Sequence, residues 1–235
     1  MTEKIYKLGK YTPADSMSDL ICNNYPMLLV LSRFGISLGF GEKTIREVCR
    51  QNDVDEQTFL AVVNLLISEN REDFQNFGNR SIQCLLDYLH NSHSYFLDFR
   101  LPSIREKLIS VLATNTDNAA KAIIRFYDLY VEQVHTHMEY EETTVFPYVR
   151  SLLSGVKRGD YNIRVFCRQH DNIESKLSEL KNILIKYYPP ENADELNSVL
   201  FDIFACASDL ASHNFIEDNL FVPMISQLEL NVKKQ

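Results

Sequence analysis

The chain has 235 residues, with 24 basic against 32 acidic for a net charge of −8, 45% hydrophobic residues, seven glycines and seven prolines. That composition excludes a disordered tail, a collagen-like fibre and a low-complexity segment. No Lys/Arg cluster is longer than a pair, so with an acidic balance a nucleic-acid backbone is a poor partner. At roughly 100 to 200 residues per domain the length suits two unequal domains.

The longest strongly apolar run, Met27 to Leu31, is far short of the roughly 20 residues a bilayer span needs. The N-terminus also lacks the basic-then-apolar order of a signal peptide. The expectation is a cytoplasmic chain with no membrane partner. The five cysteines, Cys22, Cys49, Cys84, Cys167 and Cys206, are odd in number, scattered and without a CxxC. They suggest neither a disulfide framework nor a thiolate zinc site, and are expected to be reduced, buried and structural.

Residues 14–68 carry short helical patterns punctuated by Gly35, Gly39 and Gly41, ending in an amphipathic run from Phe59 to Ile67 behind an Asp55 N-cap. The polar stretch from Glu69 to Asn79 reads as a linker. The division expected is therefore a small helical domain over 1–70, a linker over 71–79 and a larger helical domain over 80–230. In the larger part, long amphipathic segments are predicted at about 80–113, kinked near Pro102, and at about 118–154, 160–188 and 193–228. They are separated by Asn115-Thr116-Asp117, by Gly155 to Gly159 and by Pro189-Pro190. Long helices joined by short loops predict an all-α fold, an up-and-down four-helix bundle.

At about 100° per residue, the second long segment aligns Val131, Val134, Met138, Val145, Tyr148 and Leu152 on one stripe, with His137 and Glu141 inside it. A carboxylate buried without a partner costs several kcal/mol, so this position calls for a proton, an ion pair or a metal. The i, i+4 spacing points the two side chains the same way. His135 and Glu139 sit on the flank and read as solvated. The fourth segment repeats the pattern, with His213 and Glu217 on or beside the stripe of Ile203, Ala207, Leu210, Phe221 and Met224. His170 lies in line with Phe166, Ile173, Leu177 and Leu184, and His93 in line with Ile82, Leu86, Leu89 and Leu97. His90 is also on the apolar side, so phase alone does not choose between it and His93. Glu174, four residues after His170, could act as a hydrogen-bond partner behind a ligand or as a ligand itself.

A lone His on an apolar face is usually a satisfied core residue, and one HxxxE is usually an exposed ion pair. Inward imidazoles on four helices, with a proline ten residues after the His of each HxxxE, are harder to read that way. Four imidazoles and two carboxylates suit iron, manganese or zinc. Six such ligands suit two metals better than one, with bridging carboxylates and an open position on each ion for a small molecule. Ferritin-like bundles use Glu-rich sets with ExxH pairs instead.

The strings from His137 to Pro147 and from His213 to Pro223 resemble the HxxxEE and HxxxE(N/D)N signatures, each followed by FP, of hemerythrin-like proteins. More closely, they resemble the repair-of-iron-centres family of bacterial di-iron proteins, and the likeness covers nearly the whole chain. Asp87-Tyr88-Leu89 through His93 to Leu101-Pro102 matches that family's first ligand segment and favours His93 over His90. Gln169-His170-Asp171 matches its third. The resemblance implies a metal set of His93, His137, Glu141, His170, His213 and Glu217, holding two non-haem irons with an oxo or hydroxo bridge. Donor chemistry alone leaves zinc and manganese open. Leu31 to Lys43 resembles the core of the family's small N-terminal domain, but Gly39 and Phe40 stand where its paired cysteines lie. What the likeness implies is repair of iron–sulfur clusters or iron donation under nitrosative or oxidative stress, with iron–sulfur proteins as partners. The alternatives are binding or sensing of O2 or NO, and a di-iron NO reductase or peroxide-consuming oxidase. A homodimer is allowed by everything in the sequence.

Overall fold

Every regular element among the described residues is helical, apart from an isolated antiparallel bridge between Ser16 and Thr44. The structure is a computed structural model that describes residues 9–68, 77–112, 118–156, 161–163, 165, 171–188 and 192–232, with 171–175 as backbone only. The small helices are α1 (Met17–Asn23), α2 (Met27–Arg33), α3 (Ile45–Gln51) and α4 (Glu56–Ser68). The first long run is α5 (Asn79–Ser94), a π-helical turn (Tyr95–Arg100) and α6 (Leu101–Leu112). The second is α7 (Asn118–Tyr140), a π turn (Glu141–Val145) and α8 (Phe146–Leu153). Then come α9 (Asp171–Tyr187) and a last run of α10 (Ala193–Ile216), a π turn (Glu217–Phe221) and α11 (Val222–Val232). Most of the expected linker, residues 71–76, lies outside the described residues, as do 115–117, 157–159 and Pro189-Pro190.

Contacts divide the chain into two compact units. One comprises Met1–Ser92, Tyr148–Ile163 and Phe215–Gln235; the other comprises His93–Pro147 and Arg164–Asn214. In the first, local sequence chemistry sets the helix ends. Asp55 Oδ2 accepts from the Thr58 N–H at 3.0 Å and the Thr58 hydroxyl at 2.7 Å, capping α4 as its sequence predicts. Gly35, at φ +69°, ends α2 in a Schellman motif, with Ile36 N–H donating to Leu31 O at 2.9 Å and Gly35 N–H to Ser32 O at 3.0 Å. The rings of Phe34 and Phe59 lie 5.3 Å apart and those of Phe34 and Tyr88 4.7 Å apart. Asn91 Nδ2 donates to Arg33 O at 2.8 Å, and the Thr58 hydroxyl also reaches Ser81 O at 3.2 Å. These contacts join the N-terminal helices to α5. Asp55→Ala is expected to cost about 1 kcal/mol, read as a lowered urea midpoint, with Asp55→Asn close to wild type.

In the second unit, four helical segments converge on one core. Ile104, Leu108 and Leu112 of α6 meet Tyr127, Tyr130, Val134 and Met138 of α7, Leu177, Leu180 and Leu184 of α9, and Val199, Ile203, Cys206 and Leu210 of α10. The three-and-four spacing is the apolar stripe of a bundle helix. The buried Tyr127 hydroxyl donates to Leu101 O at 2.9 Å, which offsets its desolvation.

The expected third segment began at about 160, but Tyr161 and Asn162 are not helical and the described helix starts at Asp171. Ile163 N–H instead donates at 3.0 Å to the carboxylate of Glu229, which also accepts from the Tyr148 hydroxyl at 2.6 Å. The cysteines are not uniformly buried: Cys49 and Cys206 are, Cys84 is half-buried and Cys22 is exposed, while Cys167 lies outside the described residues. Cys22 falls on the outer side of α1, a helix of two turns that buries only Met17 and Leu20.

Each π turn ends two residues before a proline, Pro102, Pro147 or Pro223. Proline lacks an N–H and clashes with the carbonyl four residues back. Widening the preceding turn moves the pairing to five residues back and lets the helix continue through the proline. The kink expected near Pro102 takes this form. The run from 193 to 232 is long and apolar enough to cross a membrane by length and composition alone. Its buried His213, Asn214 and Glu217 are those of a helix packed inside a fold.

Candidate metal centre

The π turns place the carboxylates. Glu141 and Glu217 are each the first residue of one, four residues after His137 and His213 in the preceding α-helix. Single π turns inside α-helices occur often at functional sites, because the bulge re-aims the side chains beside it. Both carboxylates are fully buried. His93, at the end of α5 just before the π turn Tyr95–Arg100, is 2% exposed, His213 1% and His137 8%.

Ligand atoms of His93, Glu141, His213 and Glu217 all lie within 4.8 Å of one another. His137 joins through Glu141: its Nε2 is 2.8 Å from Glu141 Oε1, while His93 Nε2 is 2.8 Å from Glu141 Oε2. One carboxylate thus faces two imidazoles, one from each oxygen. The His93 ring stacks on Phe146 with centroids 5.4 Å apart and planes at 7°. It also meets His213 in a T-shaped arrangement at 5.2 Å, and Phe96 meets His213 in the same way at 5.9 Å. The rings of His93 and His213 are therefore held in part by aromatic packing.

Five of the six residues expected as ligands are thereby brought together. The sixth, His170, lies outside the described residues, and Glu174 lies in α9 where the backbone alone is described. His90 is corrected from its expected place on the apolar side: it is exposed, on the edge of α5 that carries Asp87, Asn91 and Ser94, while Leu89, Ser92 and His93 face inward. His135 and Glu139 are surface groups, 59% and 63% exposed and 3.8 Å apart, as their phase suggests. Two contributors escaped the sequence reading. Glu142 Oε1 lies 2.7 Å from His93 Nδ1, and Phe146 supplies the stacking face. A residue next to Glu141 should point about 100° away on a regular helix, so a helical wheel puts Glu142 outside the stripe. The clue was its place as the second Glu of HxxxEE, ahead of Phe146-Pro147.

Glu141 and Glu217 are both fully buried, and taking a carboxylate out of water as an ion costs several kcal/mol unless positive charge compensates it. Their burial calls for positive charge between them. The donors present, imidazole nitrogen and carboxylate oxygen, fit a borderline or hard divalent or trivalent cation and not a soft thiolate-seeking one. No curated protein matches the chain. A family model described as the hemerythrin HHE cation-binding domain matches residues 84–225, more than half of the chain, and that span contains His93, His137, Glu141, His213 and Glu217. The buried His/Glu cluster is thus the candidate metal centre of a metal-binding, hemerythrin-like protein, and the chain belongs to the hemerythrin HHE cation-binding domain family.

Proposed function

We propose that the protein is a non-haem di-iron protein serving repair of iron–sulfur clusters, or iron donation, under nitrosative or oxidative stress. The observation that carries the di-iron part is Glu141, whose two oxygens each meet a different imidazole at 2.8 Å. A carboxylate so placed suits bridging two ions, and Glu217 in the same position of the last helical run suits a second bridge. His93, His137, His170 and His213 would be the terminal ligands. Bound iron would supply a Lewis-acidic, redox-active centre able to take O2, NO or peroxide. The residues around it keep the imidazoles oriented and the carboxylates dry. The repair role is supported by the resemblance of the HxxxE strings and of the Leu31 to Lys43 segment to the repair-of-iron-centres family.

One observation favours a second reading, binding or sensing of O2 or NO. Gly39 and Phe40 replace that family's cysteine pair. Cys49, on α3, offers no substitute: it is buried, and burial pushes its thiol up to about 12. A thiol held protonated in this way is a poor nucleophile.

The test begins with protein from iron-supplemented cells, analysed for metal and by visible spectroscopy before and after reduction under nitrogen. We expect about two irons per chain with oxo-bridge absorption that bleaches on reduction. One zinc, or no metal, would overturn the di-iron reading. With iron present, restoration of a damaged cluster enzyme supports repair, stable spectra after O2 or NO addition support sensing, and multiple turnovers support a reductase or oxidase.

A further inference from the structure

The sequence reading gave no role to Glu142, yet its carboxylate meets His93 Nδ1 at 2.7 Å on the side of the ring away from Glu141. A carboxylate oxygen at this distance suits an Nδ1 that carries the hydrogen and donates it. That assigns Nε2, the nitrogen facing Glu141 at 2.8 Å, to the metal side. Consecutive residues grip the two nitrogens of one imidazole because both sit at the opening of the π turn Glu141–Val145. Phe146, stacked on the same ring, closes a third direction.

We propose that Glu142 is a positioning residue for His93: it fixes the ring's tautomer and orientation and, through the Nδ1–H bond, raises the donor strength of Nε2. This rests on the di-iron reading. Partners of this kind hold metal-bound imidazoles in many sites, and their loss costs about 10 to 100-fold in metal affinity. Its side chain is 29% exposed, whereas the carboxylate of Glu141 is fully buried. Glu142 therefore serves as the outer member of the pair.

The experiment uses the full chain as wild type, Glu142→Ala, Glu142→Gln and Glu139→Ala, each loaded with ferrous iron under nitrogen. Iron retention against a competing chelator, the reduction potential of the loaded protein and far-UV helicity of the metal-free protein are measured. We expect Glu142→Ala to hold iron about 10 to 100-fold less tightly, with helicity equal to wild type and Glu139→Ala unchanged. Glu142→Gln keeps an oxygen that accepts from Nδ1–H, so it should recover most of the affinity. Its neutral amide donates less through the ring, so its potential should rise. Retention in Glu142→Ala equal to wild type, or an unchanged potential in Glu142→Gln, would overturn the assignment. Should Glu142→Ala lose helicity, the potential of Glu142→Gln decides alone. A wild-type chain that takes up no ferrous iron overturns the di-iron reading and this one together. An iron-loaded wild type with indifferent Glu142 variants overturns only this one.

Discussion

Glu141→Ala and Glu217→Ala are each expected to leave the purified protein with far less iron than Glu139→Ala. The contrast is built into one stretch of helix: Glu139 is 63% exposed beside His135, whereas Glu141, two residues on, is fully buried between His93 and His137. On the proposed di-iron reading, removing a bridging carboxylate takes away a ligand from each ion and a negative charge from between them. The loss should exceed the roughly 10 to 100-fold that removal of an outer hydrogen-bond partner costs. Elemental analysis of the three variants after identical iron supplementation checks it. Equal iron in all three would sink the assignment of both carboxylates.

The second large effect separates two imidazoles three residues apart. His93→Ala is expected to abolish the full iron complement, while His90→Ala leaves it intact and shifts stability by no more than about 0.5 kcal/mol, as for an ordinary surface change. His93 is 2% exposed, packed between the Phe146 face and the His213 ring, with Nε2 toward Glu141. Since Ala also removes the stacked ring, His93→Gln serves as the companion variant and should lose iron with less effect on melting. Iron content and melting temperature of the metal-free proteins distinguish the two causes. Iron lost from the His90 variant and kept in the His93 variant would mean that the wrong imidazole faces the carboxylates.

Much of this architecture is legible in the chain because it is local. Apolar residues recurring every three or four positions predict the first two long helical runs, which the described residues show over 79–112 and 118–153. Asp55 caps α4 through Thr58, as a short acceptor side chain before an apolar run should. The i, i+4 spacing alone makes His137 meet Glu141, and the stripe around them requires that both be buried. Tyr161 and Asn162 are not helical where the third segment is expected to have begun, and the partner of the neighbouring Ile163 N–H, Glu229, is remote in sequence and invisible to a local pattern.

The sequence by itself determined an all-helical chain, the two HxxxE pairs and the chemical kind of centre they can build, since periodicity and donor identity are properties of neighbouring residues. Helix phase left His90 and His93 both open, since an apolar stripe spans about 100° or more; the family likeness favoured His93, and the tertiary structure supplied the physical reason, with Phe146 and Glu141 closing on that ring while His90 stays exposed. The π turns that hold the carboxylates were out of reach of the sequence. Each residue on a helical wheel is assumed to advance by the same angle, and only a packed backbone shows where a proline has widened the turn and brought Glu142 onto a ring that Glu141 already holds.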